Sequence, residues 1–391
     1  MTRIALLPSA YLPDLGGVEE LTHNLALTLR GLGNDVEVWT AKVPAVGPPI
    51  EESIDGIAVR RFPFVLPAMR PRSLAAFPVP ALSTVQALRR AVRRFRPEIL
   101  HVQCFGPNGV YATALAPLVG VPLIVTLQGE TTNNAHDIFD HSVLLRAALR
   151  TAVKRAAAVT GCSRFTLDDA VSRFGLPPDK GVVVFNGVST AEPEGGADTA
   201  AERTKSRDGR RTVLAMGRMV QNKGFDLLID GFARVAARHP DVDLVLGGDG
   251  EVRSDLEAQA ARLELAPRVL FPGRLDRSQV ARACRNADVF VLPSRVEPFG
   301  IVVLEAWRAG AAVVATTHGG PPEFVADGTT GLLVDPNDPA ALARALDRLL
   351  SDDALRRRIG DAGQAEVVDF GWPTITAQYL EIYRCVVQGA P

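Results

Sequence analysis

Twice along this 391-residue chain, short apolar runs alternate with amphipathic helical patterns, and that alternation restricts the fold more than any other feature. Runs rich in Val, Ile and Leu without polar interruption must be covered on both faces, which a parallel sheet with crossover helices provides. The first half offers Ile4–Leu7, Val36–Trp39, Ile99–Val102, Leu123–Thr126, Ala158–Gly161 and Val182–Phe185 as strands. The second restarts at Thr212–Gly217 and continues with Leu244–Gly247, Val269–Phe271, Val289–Leu292, Ala312–Ala315 and Leu332–Val334. Between the first two strands, Glu19 to Leu32 places Leu21, Leu25, Leu29 and Leu32 on one helical face, with Gly31 and Gly33 as stop signals.

The stretch from Ser189 to Arg211 has no apolar periodicity and reads as a linker. The expected fold class is therefore α/β, with two Rossmann-like doubly wound domains. The first covers 1–190, the linker 191–211 and the second 212–370, followed by a last helix over 374–391. Ligands of such sheets bind beyond the carboxyl ends of the strands.

Bulk properties remove several classes. With 47% apolar and 22% charged residues the composition is globular, and a formal net charge of −1 gives no reason to expect nucleic acid. No apolar run reaches membrane-span length, and the opening residues are broken too soon by Pro8 for a signal peptide, so the cytoplasm is the expected location. Cys104, Cys162, Cys284 and Cys385 show no ligand spacing and read as small core residues.

The chemistry concentrates where Asp288-Val-Phe-Val-Leu-Pro-Ser294 runs into Glu297-Pro-Phe-Gly-Ile-Val-Val-Leu-Glu305. A buried strand ends at the Pro-Ser turn, and a helix starts near Gly300 and ends by Gly310. The amides of Gly300, Ile301 and Val302 then lack intrahelical partners and face an anion with the positive end of the dipole. Glu297, beside them, suits hydroxyl groups, because a carboxylate accepts from two neighbouring O–H donors. Sugar hydroxyls, a diphosphate and a ribose in one ligand describe a nucleotide sugar. A second anion-reading loop, Gly217-Arg218-Met-Val-Gln-Asn-Lys223-Gly224, joins a strand to a helix and brings Arg218 and Lys223 together. Gly247-Gly248-Asp249-Gly250 supplies a tight turn after the next strand.

The Glu297-to-Glu305 spacing resembles the E-x7-E motif of retaining glycosyltransferases, specifically the large fourth family with the GT-B fold, and the resemblance extends over nearly the whole chain. It implies two domains facing one another across a cleft, with the last helix crossing back onto the first. It implies Glu297 at the donor sugar and Glu305 at the nucleotide ribose. Arg218 and Lys223 then grip the diphosphate, with Gly248, Phe299, Gly300, Ile301 and Val302 on the donor side. Gly16 and Gly17, at the start of the first long helix, would approach the donor phosphates from the first domain. Asn186-Gly187-Val188 and Gly319-Gly320-Pro-Pro-Glu323 match further landmarks.

On the acceptor side the chain departs from that pattern. Many members carry a His after the strand Leu123–Leu127; here Gln128-Gly129-Glu130 follows. Gln128 hydrogen-bonds but takes no proton near neutral pH, so either its hydrogen bond suffices, or Glu130 serves, or the acceptor differs. His101 reads either as an acceptor-side group or as a satisfied core histidine. His136, Asp137, Asp140 and His141 are spaced wrongly for one helical face and read as a solvated segment. Asp241-Val-Asp243 is the single literal DxD and precedes a strand, at the end away from ligands, so it reads as a turn.

Residues 57–97 hold nine arginines and no acid, interleaved with apolar residues such as Phe62, Phe64, Met69 and Leu74. This is either an anionic-membrane or phosphorylated-acceptor surface on the inner face of the cell membrane, or an Arg-rich helix over 85–95 with a wet polar face. The residues and the resemblance together imply a retaining hexosyltransferase moving a hexose from a UDP- or GDP-sugar to a hydroxyl of a lipid, small metabolite or glycan. Glu297, Arg218, Lys223 and Gln128 form its expected reacting centre, with neither metal nor cofactor. A GT-B-fold sugar-nucleotide 2-epimerase and a non-catalytic nucleotide-binding protein are the alternatives.

Overall fold

A computed structural model describes residues 1–13, 16–67, 77–132, 138–190 and 209–389. The expectations on Leu15, Met69, Arg70, Arg72, Leu74, His136, Asp137, the Asp140 side chain and linker residues 191–208 lie outside the described residues. The chain divides into two compact units, Met1–Gly187 with Trp372–Pro391, and Val188–Gly371.

In the first unit the strands are β1 (Arg3–Pro8), β2 (Asp35–Ala41), β3 (Ile50–Ile54), β4 (Ile57–Phe62), β5 (Ile99–Gln103), β6 (Leu123–Leu127), β7 (Ala158–Gly161) and β8 (Gly181–Val183). They form one sheet in the order β3-β4-β2-β1-β5-β6-β7-β8, parallel except for β3. The chain turns from one direction of growth to the other between β1 and β5. Those central strands are buried almost throughout, because crossover helices cover both faces. Among these helices are α1 (Gly17–Gly31), α2 (Pro78–Phe95), α3 (Pro107–Val119), α4 (Val143–Arg155) and α5 (Arg164–Asp169).

Hairpin β3–β4 escaped the sequence reading, since β3 is almost entirely exposed and its Ile-Glu-Glu-Ser-Ile has no apolar run. A usable signal was present in Asp55-Gly56, which take φ 49° and 75° as a tight hairpin turn requires. Helix α1 buries Leu21, Leu25 and Leu29, but Leu32 is its C-cap and 56% exposed, so the expected apolar face is one residue shorter. Helix α2 begins at Pro78, seven residues before the expected start at Val85.

The second unit forms a six-stranded parallel sheet in the order β11-β10-β9-β12-β13-β14. Its strands are β9 (Arg211–Met216), β10 (Val242–Gly247), β11 (Val269–Gly273), β12 (Val289–Leu292), β13 (Ala312–Thr316) and β14 (Leu332–Val334). The order reverses between β9 and β12, which pair through Val213–Val289 and Leu214–Phe290. Helices α6 (Phe225–Ala233), α7 (Ile301–Arg308), α8 (Pro339–Ser351) and α9 (Asp353–Glu366) belong to this unit. A core of Val213, Phe225, Phe232, Leu244, Val291, Val314, Leu346 and Ile359 packs helices against one face of the sheet. The C-terminal helix Trp372–Gln388 belongs to the first unit.

The carboxyl ends of β9 and β12 flank the reversal of strand order, where open α/β sheets leave a crevice for ligands. Both anion-reading segments leave from those two ends.

Candidate active site

The loop after β9 is held from two sides by backbone contacts that exclude side chains. Gly217 N–H donates to Gly247 O at 3.0 Å and Met219 N–H to Asp249 O at 2.9 Å. Gly248 takes φ 131°, and a Cβ there would run into the carbonyl of Gly217. Gly224, at φ 66°, likewise leaves no room for a Cβ beside the carbonyl of Pro293. These glycines are a steric requirement of packing three loops against one another. A short 3-10 turn, Gln221–Lys223, closes the loop before α6.

Lys223 from that loop reaches the segment after β12, where its Nζ donates to Glu297 Oε2 at 2.7 Å. Ser294 Oγ donates to the same oxygen at 2.8 Å. Glu297 is 5% exposed, and among the described residues its Oε1 receives no hydrogen bond. The main chain around it is equally constrained: Glu297 N–H donates to His318 O at 3.0 Å and Gly320 N–H to Glu297 O at 2.8 Å. Gly319 (φ 115°) lacks the Cβ that would strike Glu297 O, which gives the Gly319-Gly320 pair a structural reason.

Gly300, in the left-handed region at φ 94°, starts α7 without a side-chain cap. The amides of the first turn, including Ile301 and Val302, therefore point out of the helix with its positive dipole end. Glu305 is half-buried, one turn further along. Arg218 is exposed and makes no ion pair among the described residues. Phe299 differs from expectation, because its ring is 3% exposed and stacks on Phe324 at 4.8 Å between centroids.

The DxD turn is accounted for by partners. Asp241 accepts from Arg211 at 2.8 Å and Asp243 from Arg210 at 2.9 Å, both at the amino end of β9 and β10. Among the described residues no group of three or more His, Cys, Asp and Glu is arranged to hold a metal ion.

In the first unit, Gly16 is the extended N-cap residue of α1 and Gly17 its first residue, both exposed. A Cβ on Gly16 would run into the Glu19 carboxylate, so this chain lays its own anion against that helix terminus. Asn186 is buried, and Gly187 packs on Trp372, whose ring a Cβ would meet at 2.8 Å.

His101 is a core histidine. It is fully buried on β5, with Tyr383 Oη on Nδ1 and Thr126 Oγ1 on Nε2, each at 2.6 Å. Burial pushes its pKa down to about 3, so it stays neutral near neutral pH. Gln128 also turns inward. Its Nε2 donates to Gln103 Oε1 at 3.3 Å, and among the described residues its buried Oε1 has no partner. Gln128 as a whole is half-buried, and its amide keeps one hydrogen-bond acceptor unused among the described residues. Glu130 accepts from the amides of Phe105 and, at 2.6 Å, Gln128. Although the residue is only partly covered, its carboxyl group is enclosed, and burial raises its pKa to about 7 against those two hydrogen bonds. Of the three acceptor-side residues, Glu130 alone carries a titration near neutrality.

Cys162 and Cys284 are buried as expected, Cys104 is partly covered, and Cys385 is exposed, contrary to expectation. Asn222, Asp226 and Arg295 carried no expected role, and Ser294 was expected only to end the strand. Ser294, three residues before Glu297, was the nearest available signal.

Residues 197–366 match the family described as glycosyl transferases group 1, and residues 15–192 match glycosyltransferase family 4. The chain is 30% identical over 395 residues to the D-inositol 3-phosphate glycosyltransferase of Pseudarthrobacter chlorophenolicus, covering 96% of this chain and 91% of that one. It is 28% identical over 409 residues to a glycogen synthase of Mycobacterium tuberculosis, covering 99% and 95%. Among solved structures, Anabaena HepE in complex with UDP and glucose superposes with a TM-score of 0.75 at 23% identity, over 97% of this chain and 99% of that one. This likeness shows the GT-B fold, with two Rossmann-like α/β sheets.

Proposed function

The chain belongs to glycosyltransferase family 4, and on that premise we propose that it is a retaining hexosyltransferase taking a nucleoside-diphosphate sugar, with UDP or GDP as the nucleotide. The observation that carries this reading is the junction of Lys223, Ser294 and Glu297 beside the uncapped start of α7. Lys223, Arg218 and the first-turn amides supply positive charge where a diphosphate would leave. The unbonded Oε1 of Glu297 offers an acceptor to sugar hydroxyls. UDP and glucose bound to HepE agree with such a ligand.

In the proposed step an acceptor hydroxyl attacks the anomeric carbon on the face from which the diphosphate departs. The bond from that carbon to the phosphate oxygen breaks as the bond to the acceptor oxygen forms, and the hydroxyl proton passes to the departing phosphate oxygen. Glu297 is already bonded to Lys223 and Ser294 and is assigned to orienting the sugar. With charge neutralised by side chains and amides, the reaction needs no metal, so turnover is expected to persist in excess chelator.

The test is hydrolysis of UDP-, GDP-, ADP- and dTDP-sugars without acceptor, with Glu297→Ala as control. Loss of one donor that vanishes in the control supports the reading; no turnover and no thermal stabilisation by any nucleotide overturns it. Release of a free epimeric sugar as the product favours the 2-epimerase alternative. Turnover of any kind excludes a purely nucleotide-binding role.

The acceptor side supports contact with an anionic surface, through α2. Arg60 pairs with Glu37 and Glu51, Arg61 with Glu52, and Arg94 with Glu51, so part of the arginine-rich stretch is neutralised within the unit. Arg89, Arg90 and Arg93 remain exposed beyond Val79 and Leu82, which are 78% and 60% exposed on the same helix. This apolar-then-basic face suits an anionic bilayer. Among the described residues no helix is long and apolar enough to cross a membrane.

A further inference from the structure

Arg295, between Ser294 and Glu297, is tied to the diphosphate loop more densely than any direct role would require. Its guanidinium makes a two-point contact with Asp226 in the first turn of α6, Nη1 to Oδ1 at 2.8 Å and Nη2 to Oδ2 at 2.6 Å. The same Nη1 donates to Gln221 O at 2.6 Å, and Arg295 N–H donates to Asn222 O at 2.8 Å. Asn222 Nδ2 returns a bond to Val296 O at 3.0 Å, and His318 Nδ1 lies 3.1 Å from Arg295 O. These contacts bind residues 221–226 to residues 295–296, immediately beside Lys223 and Glu297.

Lys223 ends a single 3-10 turn and Glu297 lies in the loop after β12, and neither short segment sets the other's position by secondary structure. A planar fork against a carboxylate fixes both distance and orientation, whereas a lysine in its place would act as a point charge. The Asp226 carboxylate is itself anchored at the amino end of α6, where the helix dipole favours it.

We propose that Arg295, through Asp226, is the positioning residue that holds the diphosphate loop and the sugar-facing loop in register and so sets the Lys223–Glu297 pair. The proposal rests on the donor-site reading above for its effect on turnover, but its geometric half does not.

The two halves are tested separately. The sequence has five lysines, Lys42, Lys154, Lys180, Lys205 and Lys223, so the acylation rate of each by acetic anhydride can be followed by mass spectrometry. Arg295→Ala and Asp226→Asn should each speed acylation of Lys223 about tenfold relative to Lys154, because a displaced loop frees its ammonium from Glu297. Hydrolysis of UDP-glucose or GDP-mannose should lose on the order of tenfold to a hundredfold in kcat, with KM changed by less than about threefold. The charge-swapped double variant Arg295→Asp/Asp226→Arg should recover part of both losses, and Arg295→Lys less than the swap. A structural role alone would lower the melting temperature without separating kcat from KM or singling out Lys223.

Unchanged Lys223 acylation in both single variants overturns the proposal, as does a loss of kcat matched by an equal rise in KM. If Lys223→Ala hydrolyses both donors normally, the donor-site reading fails instead. The acylation result then still decides whether Arg295 sets the loop.

Discussion

Lys223 and Glu297 lie 74 residues apart in the chain, and the ammonium of one donates to the carboxylate of the other at 2.7 Å. Both side chains are largely buried, at 19% and 7% exposure, so the pair stands in a medium where an unpaired charge is costly. Glu297→Gln keeps the Ser294 hydrogen bond but leaves the Lys223 ammonium without its counter-charge, so it should cut donor turnover by about a hundredfold or more and also lower stability. Lys223→Ala strands Glu297 and should lower both turnover and stability, the latter by about 3 kcal/mol. Adding Glu297→Gln to Lys223→Ala should restore stability without restoring turnover, which urea unfolding and a hydrolysis assay together will show.

Gly248 and Gly328 separate backbone strain from collision. Gly328 takes φ 74° in open space, so Gly328→Ala should cost about 1 kcal/mol from the left-handed conformation alone. Gly248→Ala adds a Cβ against the Gly217 carbonyl and must displace the loop that carries Arg218. It should destabilise more than Gly328→Ala and weaken nucleotide binding, measured by calorimetry, while Gly328→Ala binds normally.

Glu130 and His101 tilt stability with pH in opposite directions. The Glu130 carboxyl is raised from 4.5 to about 7, so the folded protein holds its proton more tightly than the unfolded chain. Its contribution is full below pH 4.5 and is lost as pH rises through 7. His101 is lowered from 6.5 to about 3, so the unfolded chain takes up the proton first. That contribution is present above pH 6.5 and is lost as pH falls toward 3. Urea midpoints between pH 4 and 8 should fall less toward high pH in Glu130→Gln, and less toward low pH in His101→Gln, than in the unsubstituted protein.

The exposed arginines of α2 give a surface prediction. Replacing Arg89, Arg90 and Arg93 with Glu should abolish co-sedimentation with vesicles containing phosphatidylglycerol, at unchanged stability. Vesicles of phosphatidylcholine alone should bind neither protein. Equal binding of both proteins to anionic vesicles would remove the membrane reading of this helix.

The chain order alone determined the α/β class, the central strands and the site segments after β9 and β12. Runs such as Val289-Phe-Val-Leu292 cannot be stable unless covered on both faces, and the helical patterns between them supply that cover. Glu297, Arg218, Lys223 and the glycines around them were legible for the same local reason: turns and helix starts demand particular residues at particular steps. Hairpin β3–β4 was not, because an exposed edge strand needs no apolar pattern; its turn residues carried the only local mark.

What tertiary structure decided was which polar groups face inward and which meet one another. His101 has a side chain suited to a site, yet β5 places it in the first unit's interior against Tyr383, and the Gln128 amide after β6 meets Gln103. Arg295 looks like one more surface arginine until the fold brings Asp226 to it from 69 residues away. Local pattern registers the periodicity of burial and the stereochemistry of turns. It carries no distance between segments, and hydrogen bonding, desolvation and pKa all depend on that distance.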